Sequence, residues 1–219
     1  MMTNFEQMQG QSYFWKVSQK SVMISIRPQW CELIANGQKT IEVRKSCPKL
    51  ETPFKCYIYC TKDSKDPDRL WVLNEQCRQK YDGLTTVCAN LAKSESHHEG
   101  NGKVIGEFVC DYILEITPDT YGHHALNASC LTTNDLWEYG SGKTLYGWHI
   151  SGLVIYDEPK ELSRFYKEDF HEALSNWEDL FSIGLPKGCA VEYPPEPKEE
   201  DYVLKRPPQS WCYVEEVGE

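Results

Sequence analysis

The sequence predicts an α+β, mainly β fold: a sheet that curls toward closure into a pseudo-barrel, with short flanking helices. Three observations carry this reading. Short apolar runs rich in β-branched and aromatic residues recur along the chain, turn residues separate them, and the helical stretches between them are brief. A sheet that must bury one face with little helix to cover it closes most economically on itself.

Residues 22–26, Val-Met-Ile-Ser-Ile, read as a buried strand, and Pro28 then opens a helix at a position where its missing N–H costs nothing. Trp30, Leu33 and Ile34 recur at helical spacing, and Asn36-Gly37 stops the helix with residues that tolerate a left-handed backbone. In Thr40-Ile41-Glu42-Val43-Arg44 the alternation is strict, so Ile41 and Val43 face a core while Thr40, Glu42 and Arg44 share the opposite face. Lys39 stands at the mouth of that strand. A third strand follows over 54–61, after a turn running from Cys47-Pro48 to Pro53.

Residues 63–102 turn polar and read as an insertion, with a helical piece around 70–84. Residues 103–110 form a strand running on towards Ile116, and Thr132 to Asp135 supply capping residues for a helix over 136–139. Residues 145–156 are strand-like throughout. An acidic amphipathic helix and a Pro-rich loop fill 163–206, and Trp211-Cys212-Tyr213-Val214 is the closing strand. We expect one domain spanning 1–219.

The chain has 219 residues, a net charge of −10 and no apolar run near the roughly 20 residues that a membrane helix needs. Residues 1–11 are polar, without the basic start and apolar run of a secretory signal. The ten cysteines show no regular spacing and no Cys-x-x-Cys pair, so reduced thiols in a cytoplasmic protein are expected, and neither metal nor cofactor is called for. His97-His98 and His123-His124 are adjacent pairs whose members would point to opposite faces of a strand, a poor arrangement for one metal. The acidic balance argues against coating nucleic acid non-specifically. It hides an asymmetry: residues 1–62 carry nine Lys/Arg against four Asp/Glu, a net of +5, which leaves −15 for the remainder. A basic site on an acidic body is therefore allowed. The Gly140-Ser141-Gly142-Lys143-Thr144 run ends like a phosphate loop, but Trp137 occupies the position of its first glycine, which rules that out.

The string Gly37-Gln38-Lys39-Thr40-Ile41-Glu42-Val43-Arg44 resembles the motif of ASCH domains, which belong to the PUA-like class. Segments 104–108, 146–150 and 207–214 are similar to further parts of bacterial and phage-type members. The resemblance implies a PUA-like pseudo-barrel, a role in binding RNA, a nucleotide or a modified nucleobase, and a cleft lined by Gly37, Lys39, Glu42 and Arg44. One branch of the family consists of amidohydrolases acting on N4-acetylcytidine. Its catalytic set implies Lys39, a threonine three residues later, where this chain carries Glu42, and a later glutamate, for which Glu107 and Glu138 both qualify. Two functions follow as expectations: a binding module, or an amidohydrolase with Lys39, Glu42 and Glu107 as catalytic residues. A protein-interaction role for the acidic C-terminal half is a third.

Physical chemistry assigns the same residues their work. Lys39 is a cation for phosphate or, if desolvated, a base. Glu42 beside two cations stays ionised and suits an exocyclic amine donor. Arg27, at the exit of the first strand, is placed to reach the cleft, and His149 stands between aromatic and apolar neighbours. Among Trp30, Trp148, Trp211, Tyr146 and Tyr213, any one is able to form a stacking wall for a base. Arg27, Trp148 and His149 join the motif residues as the expected binding set.

Overall fold

In the computed structural model the described residues are 20–62, 100–120, 123–167, 169–182 and 194–216. The insertion expected over 63–102, with its helical piece and His97-His98, lies outside them except for residues 100–102.

Strand β1 (Ser21–Ile26) runs through the interior of a six-stranded sheet, parallel to β3 (Phe54–Cys60) and antiparallel to β9 (Trp211–Glu216). Beyond β3 come β4 (Val104–Cys110) and β7 (Ser151–Lys160), and beyond β9 comes β8 (Phe165–Lys167), giving the order β7-β4-β3-β1-β9-β8. A three-stranded sheet places β2 (Ile41–Arg44) and β5 (Ile113–Ile116) on either side of β6 (Leu145–His149). This is the mainly β, α+β pseudo-barrel expected. The two sheets share a core in which Trp148 of β6 packs with Ile24, Ile58 and Phe108 of the larger sheet. No helix among the described residues is long and apolar enough to cross a membrane.

Helix α1 (Pro28–Ala35) starts on its proline and ends at Gly37, whose φ of +65° is a left-handed conformation that glycine adopts without strain. That turn feeds the chain straight into Lys39 and β2. Gly147 of β6 serves packing: a Cβ there would stand 2.9 Å from Cγ2 of Ile41 and 3.1 Å from Cδ1 of Ile116. Only a bare backbone lets the side chains of β2 and β5 close over β6.

Four expectations are corrected. The run 103–116 breaks at Asp111-Tyr112, and 145–156 breaks at Ile150. At both points the chain leaves one sheet for the other. The apolar pattern continues through these crossovers because both sheets face one core, so periodicity alone does not reveal them. Three contacts fasten the crossovers together: His149 N donates to Tyr112 O at 3.1 Å, His149 Nδ1 lies 2.6 Å from Asp111 Oδ1, and the His149 and Tyr112 rings stack at 4.4 Å. His123 and His124 open helix α2 (His123–Ser129) instead of lying on a strand. Within 163–181 the helix α4 (Phe170–Ser182) is preceded by β8, three residues long and too short to display a period.

The second face of the large sheet carries a polar network among buried apolar side chains. Tyr156 Oη donates to Glu107 Oε2 at 2.6 Å, Lys55 Nζ pairs with Glu107 Oε1 at 3.0 Å, Tyr57 Oη donates to Glu216 Oε2 at 3.0 Å, and Lys160 pairs with Glu216. Burial pushes the Glu107 carboxyl up, but the Tyr156 hydrogen bond and the Lys55 cation outweigh it and hold the group below its usual value. A carboxyl depressed in the folded state adds stability above its unfolded pKa, and that stability disappears as pH falls through the folded value. Urea denaturation at pH 7 and below pH 4 should show this loss, and Glu107→Gln should flatten the acid limb of the profile.

Cys31, Cys47, Cys56, Cys60, Cys110 and Cys130 are free thiols, and Cys31, Cys56, Cys60 and Cys110 are buried. Burial pushes the Cys31 and Cys56 thiols well up and Cys110 up to about 12. Alkylation of the native protein at neutral pH, mapped by mass spectrometry, should therefore leave these four unlabelled until denaturant is added.

Candidate functional site

The alternation in β2 sends Glu42 and Arg44 away from the side that Ile41 and Val43 pack. That side is not solvent. Lys39, Glu42 and Arg44 are only 2%, 6% and 8% exposed. Arg44 Nη2 lies 3.1 Å from Glu42 Oε1 and donates to Ser25 O at 2.6 Å, which ties β2 of the small sheet to β1 of the large one. Lys39 Nζ lies 3.3 Å from Glu42 Oε2, donates to Ser129 O at 2.7 Å and stands 5.3 Å from the centre of the Trp30 ring. Glu42 is thus a buried carboxylate held between two cations, each anchored to a backbone carbonyl.

Two valences in this trio are left open. Glu42 Oε2 is near Lys39 Nζ but accepts no properly directed hydrogen bond, and Arg44 Nε–H has no acceptor. Both residues line a cleft of about 870 Å³, a size suited to one small organic ligand. Its floor is β2 and the end of β1.

Helix α3 (Thr133–Gly140) presents Asp135, Glu138 and Tyr139 to one wall. A capping box holds its start, with Asp135 N donating to Thr132 Oγ1 at 3.1 Å and Thr132 N donating to Asp135 Oδ2 at 2.7 Å. Asn134 Nδ2 donates to Glu138 Oε1 at 2.9 Å, and Lys45 Nζ lies 4.9 Å from the Tyr139 ring centre. The other wall is residues 207–210, fastened to one residue: Ser25 Oγ donates to Pro208 O at 2.7 Å and Ser25 N donates to Ser210 O at 2.9 Å.

The structure brings Lys39, Glu42, Arg44 and the exposed Arg27 to this cleft, and with them Trp30 from the aromatic candidates. Gly37 makes the turn that delivers Lys39 and does not line the cavity. Three expected residues lie elsewhere. Glu107 belongs to the network with Tyr156 and Lys55, so of the two glutamates it is Glu138 that faces the cleft. Trp148 is wholly buried, edge-on to Phe54 with ring centres 5.8 Å apart, and has no face to offer a base. His149 is engaged by Asp111 and Tyr112 at the strand crossovers. An aromatic in a strand usually serves the core, and Trp148 does. Ser25 was legible as an anomaly, a hydroxyl in an otherwise apolar strand. Nothing local marks Ser129 or Tyr139.

No family model matches the chain, and no curated protein matches it. Among solved structures the chain is similar to ASCH from Zymomonas mobilis, at 15% identity and a TM-score of 0.47, over 90% of this chain and 88% of that one. Tyrosine-to-phenylalanine and serine-to-alanine variants of the same protein match at 14% identity, with TM-scores of 0.47 and 0.48 and coverage of 90% of this chain. Among the described residues, no three His, Cys, Asp or Glu side chains are grouped to hold a metal ion.

Removing one member of a buried ionic cluster strands the charge that remains, at a cost of roughly 3–5 kcal/mol. Arg44→Ala should fall in that range by urea denaturation, because Glu42 then keeps a single cation and Ser25 O loses its donor.

Proposed function

We propose that the protein is a nucleobase-reading module of the ASCH type, which accepts a nucleotide or a nucleic-acid element in the cleft beside Lys39. One observation carries this reading: Glu42 and Arg44, ion-paired at 3.1 Å, both line the cleft, and Glu42 Oε2 and Arg44 Nε, shielded from water beneath its surface, have no directed hydrogen bond. Unsatisfied buried polar groups are costly, and a small opening of the pair toward a ligand that satisfies both recovers that cost. An acceptor beside a donor complements an edge on which an amino group adjoins a ring nitrogen, as in cytosine and adenine. The carboxylate takes the amino N–H, the guanidinium N–H serves the ring nitrogen, and Trp30 or Tyr139 covers a face.

A second reading has its own observation. Lys39, Glu42 and Glu138 line one cleft, which supports an amidohydrolase with Glu42 where the family resemblance implies a threonine and Glu138 in place of Glu107. The binding reading is favoured because Lys39 Nζ already serves Ser129 O and Glu42. An amine so engaged makes a better fixed cation than a base.

Calorimetric titration with cytidine, adenosine and uridine tests the first reading. The two amino-bearing nucleosides should bind more tightly than uridine, and Glu42→Gln should weaken them by roughly 1–3 kcal/mol through loss of the charged hydrogen bond. Equal affinity for all three, unchanged by Glu42→Gln, would sink it. Incubation of the wild type with N4-acetylcytidine decides the second: no deacetylation is expected, and turnover abolished by Lys39→Ala would put the hydrolase first.

A further inference from the structure

The charges around the cleft divide into two sides. Arg27, Lys39 and Arg44 face Glu42, Asp135 and Glu138, so the lining as a whole is neutral although residues 1–62 are basic. The cations are not equivalent. Lys39 and Arg44 are nearly buried, and both are committed to Glu42 and to backbone carbonyls. Arg27 is exposed at the N-terminal end of α1 and, among the described residues, its side chain has no ion pair or hydrogen bond. Among the described residues it is the one lining cation with its charge still to spend. Across the cavity, Asp135 caps its own helix and Glu138 is met by Asn134, so neither carboxylate has an ion pair among the described residues, and the cation of that wall, Lys45, lies over the Tyr139 ring.

This arrangement sets the number of phosphates the cleft tolerates. A polynucleotide threading through would bring a phosphate to Arg27 and the next one or two towards Asp135 and Glu138, where like charges meet. Resting on the nucleobase reading above, we propose that the cleft takes a nucleotide bearing a single phosphate. Its base lies against the open Glu42 and Arg44 valences, its phosphate lies on Arg27, and the Asp135–Glu138 wall turns away a continuing chain. Glu42 Oε2 and Arg44 Nε, each without a directed hydrogen bond, supply the base end independently of the acidic wall. The cavity of about 870 Å³ suits one nucleotide and is small for several. A free mononucleotide and the phosphorylated end of a strand share this chemistry.

Calorimetric titration separates them, using cytidine and adenosine, their 5′-monophosphates, and hexanucleotides of the same bases with and without a 5′-phosphate, each at two salt concentrations. The monophosphates should bind on the order of tenfold more tightly than the nucleosides, and that advantage should shrink at the higher salt concentration as screening weakens the attraction between Arg27 and the phosphate. Arg27→Ala should remove this advantage, so that nucleoside and monophosphate bind alike. Glu138→Gln should raise the affinity of the hexanucleotides relative to the monophosphates. Binding of the 5′-phosphorylated hexanucleotide alongside the monophosphates, with the unphosphorylated one weaker, would assign a strand end; binding of the monophosphates alone would assign a free mononucleotide. Hexanucleotides that bind more tightly than monophosphates whatever their ends, or a phosphate that adds nothing, would overturn the proposal while leaving the nucleobase reading intact. Failure of nucleosides and monophosphates alike would bring down both.

Discussion

Everything around the cleft is arranged to meet the charge of one carboxylate at close range where water barely reaches. A buried carboxylate is tolerated only when its charge is met at close range. Glu42 is met twice, by Lys39 at 3.3 Å and Arg44 at 3.1 Å. Each cation would itself be costly to bury on a single ion pair. Each therefore takes a backbone carbonyl as well, Ser129 for Lys39 and Ser25 for Arg44. These two carbonyls belong to different layers, one at the end of α2 and the other in β1. The electrostatic requirement of one side chain thus draws α2 and both sheets to the same point, and the cleft is the space left above that junction.

Local pattern made the cleft's floor legible. The alternation of Thr40 to Arg44, the glycine that ends α1 and the lysine at the strand mouth are all dictated within a dozen residues, and the structure assembles them as the pattern requires. The walls were not legible in the same way. Ser129 lies 90 residues from Lys39, and Pro208 lies 183 residues from Ser25. No periodicity encodes such distances. The two strand breaks were hidden for a related reason, since a chain that passes between sheets sharing one core keeps the same apolar rhythm. Ser25 was the single local clue to the far wall, and a hydroxyl amid Val-Met-Ile and Ile asks for a partner that only the tertiary fold supplies.

Glu107 shows how a polar residue in an apolar strand misleads. It is a catalytic candidate in the sequence because the family resemblance implies a later glutamate, for which Glu107 and Glu138 both qualify. The structure satisfies it completely on the other face of the sheet, with Tyr156 and Lys55 as partners. Glu42 differs in one respect that no sequence displays: one of its oxygens still lacks a directed donor. The two carboxylates differ here by a count of directed hydrogen bonds.

The double fastening of residues 207–210 to Ser25 has a consequence for how the protein is made. During synthesis β1, α1 and β2 leave the ribosome long before the segment that completes the cleft and long before β9, which pairs with β1. Until then one flank of β1 has no partner, and Ser25 has neither of its far-wall bonds. Contacts of such sequence separation close late and slowly. Synthesis that stops short of β9 leaves the Lys39–Glu42–Arg44 cluster with one wall missing, so a competent site certifies that translation reached the far end of the fold.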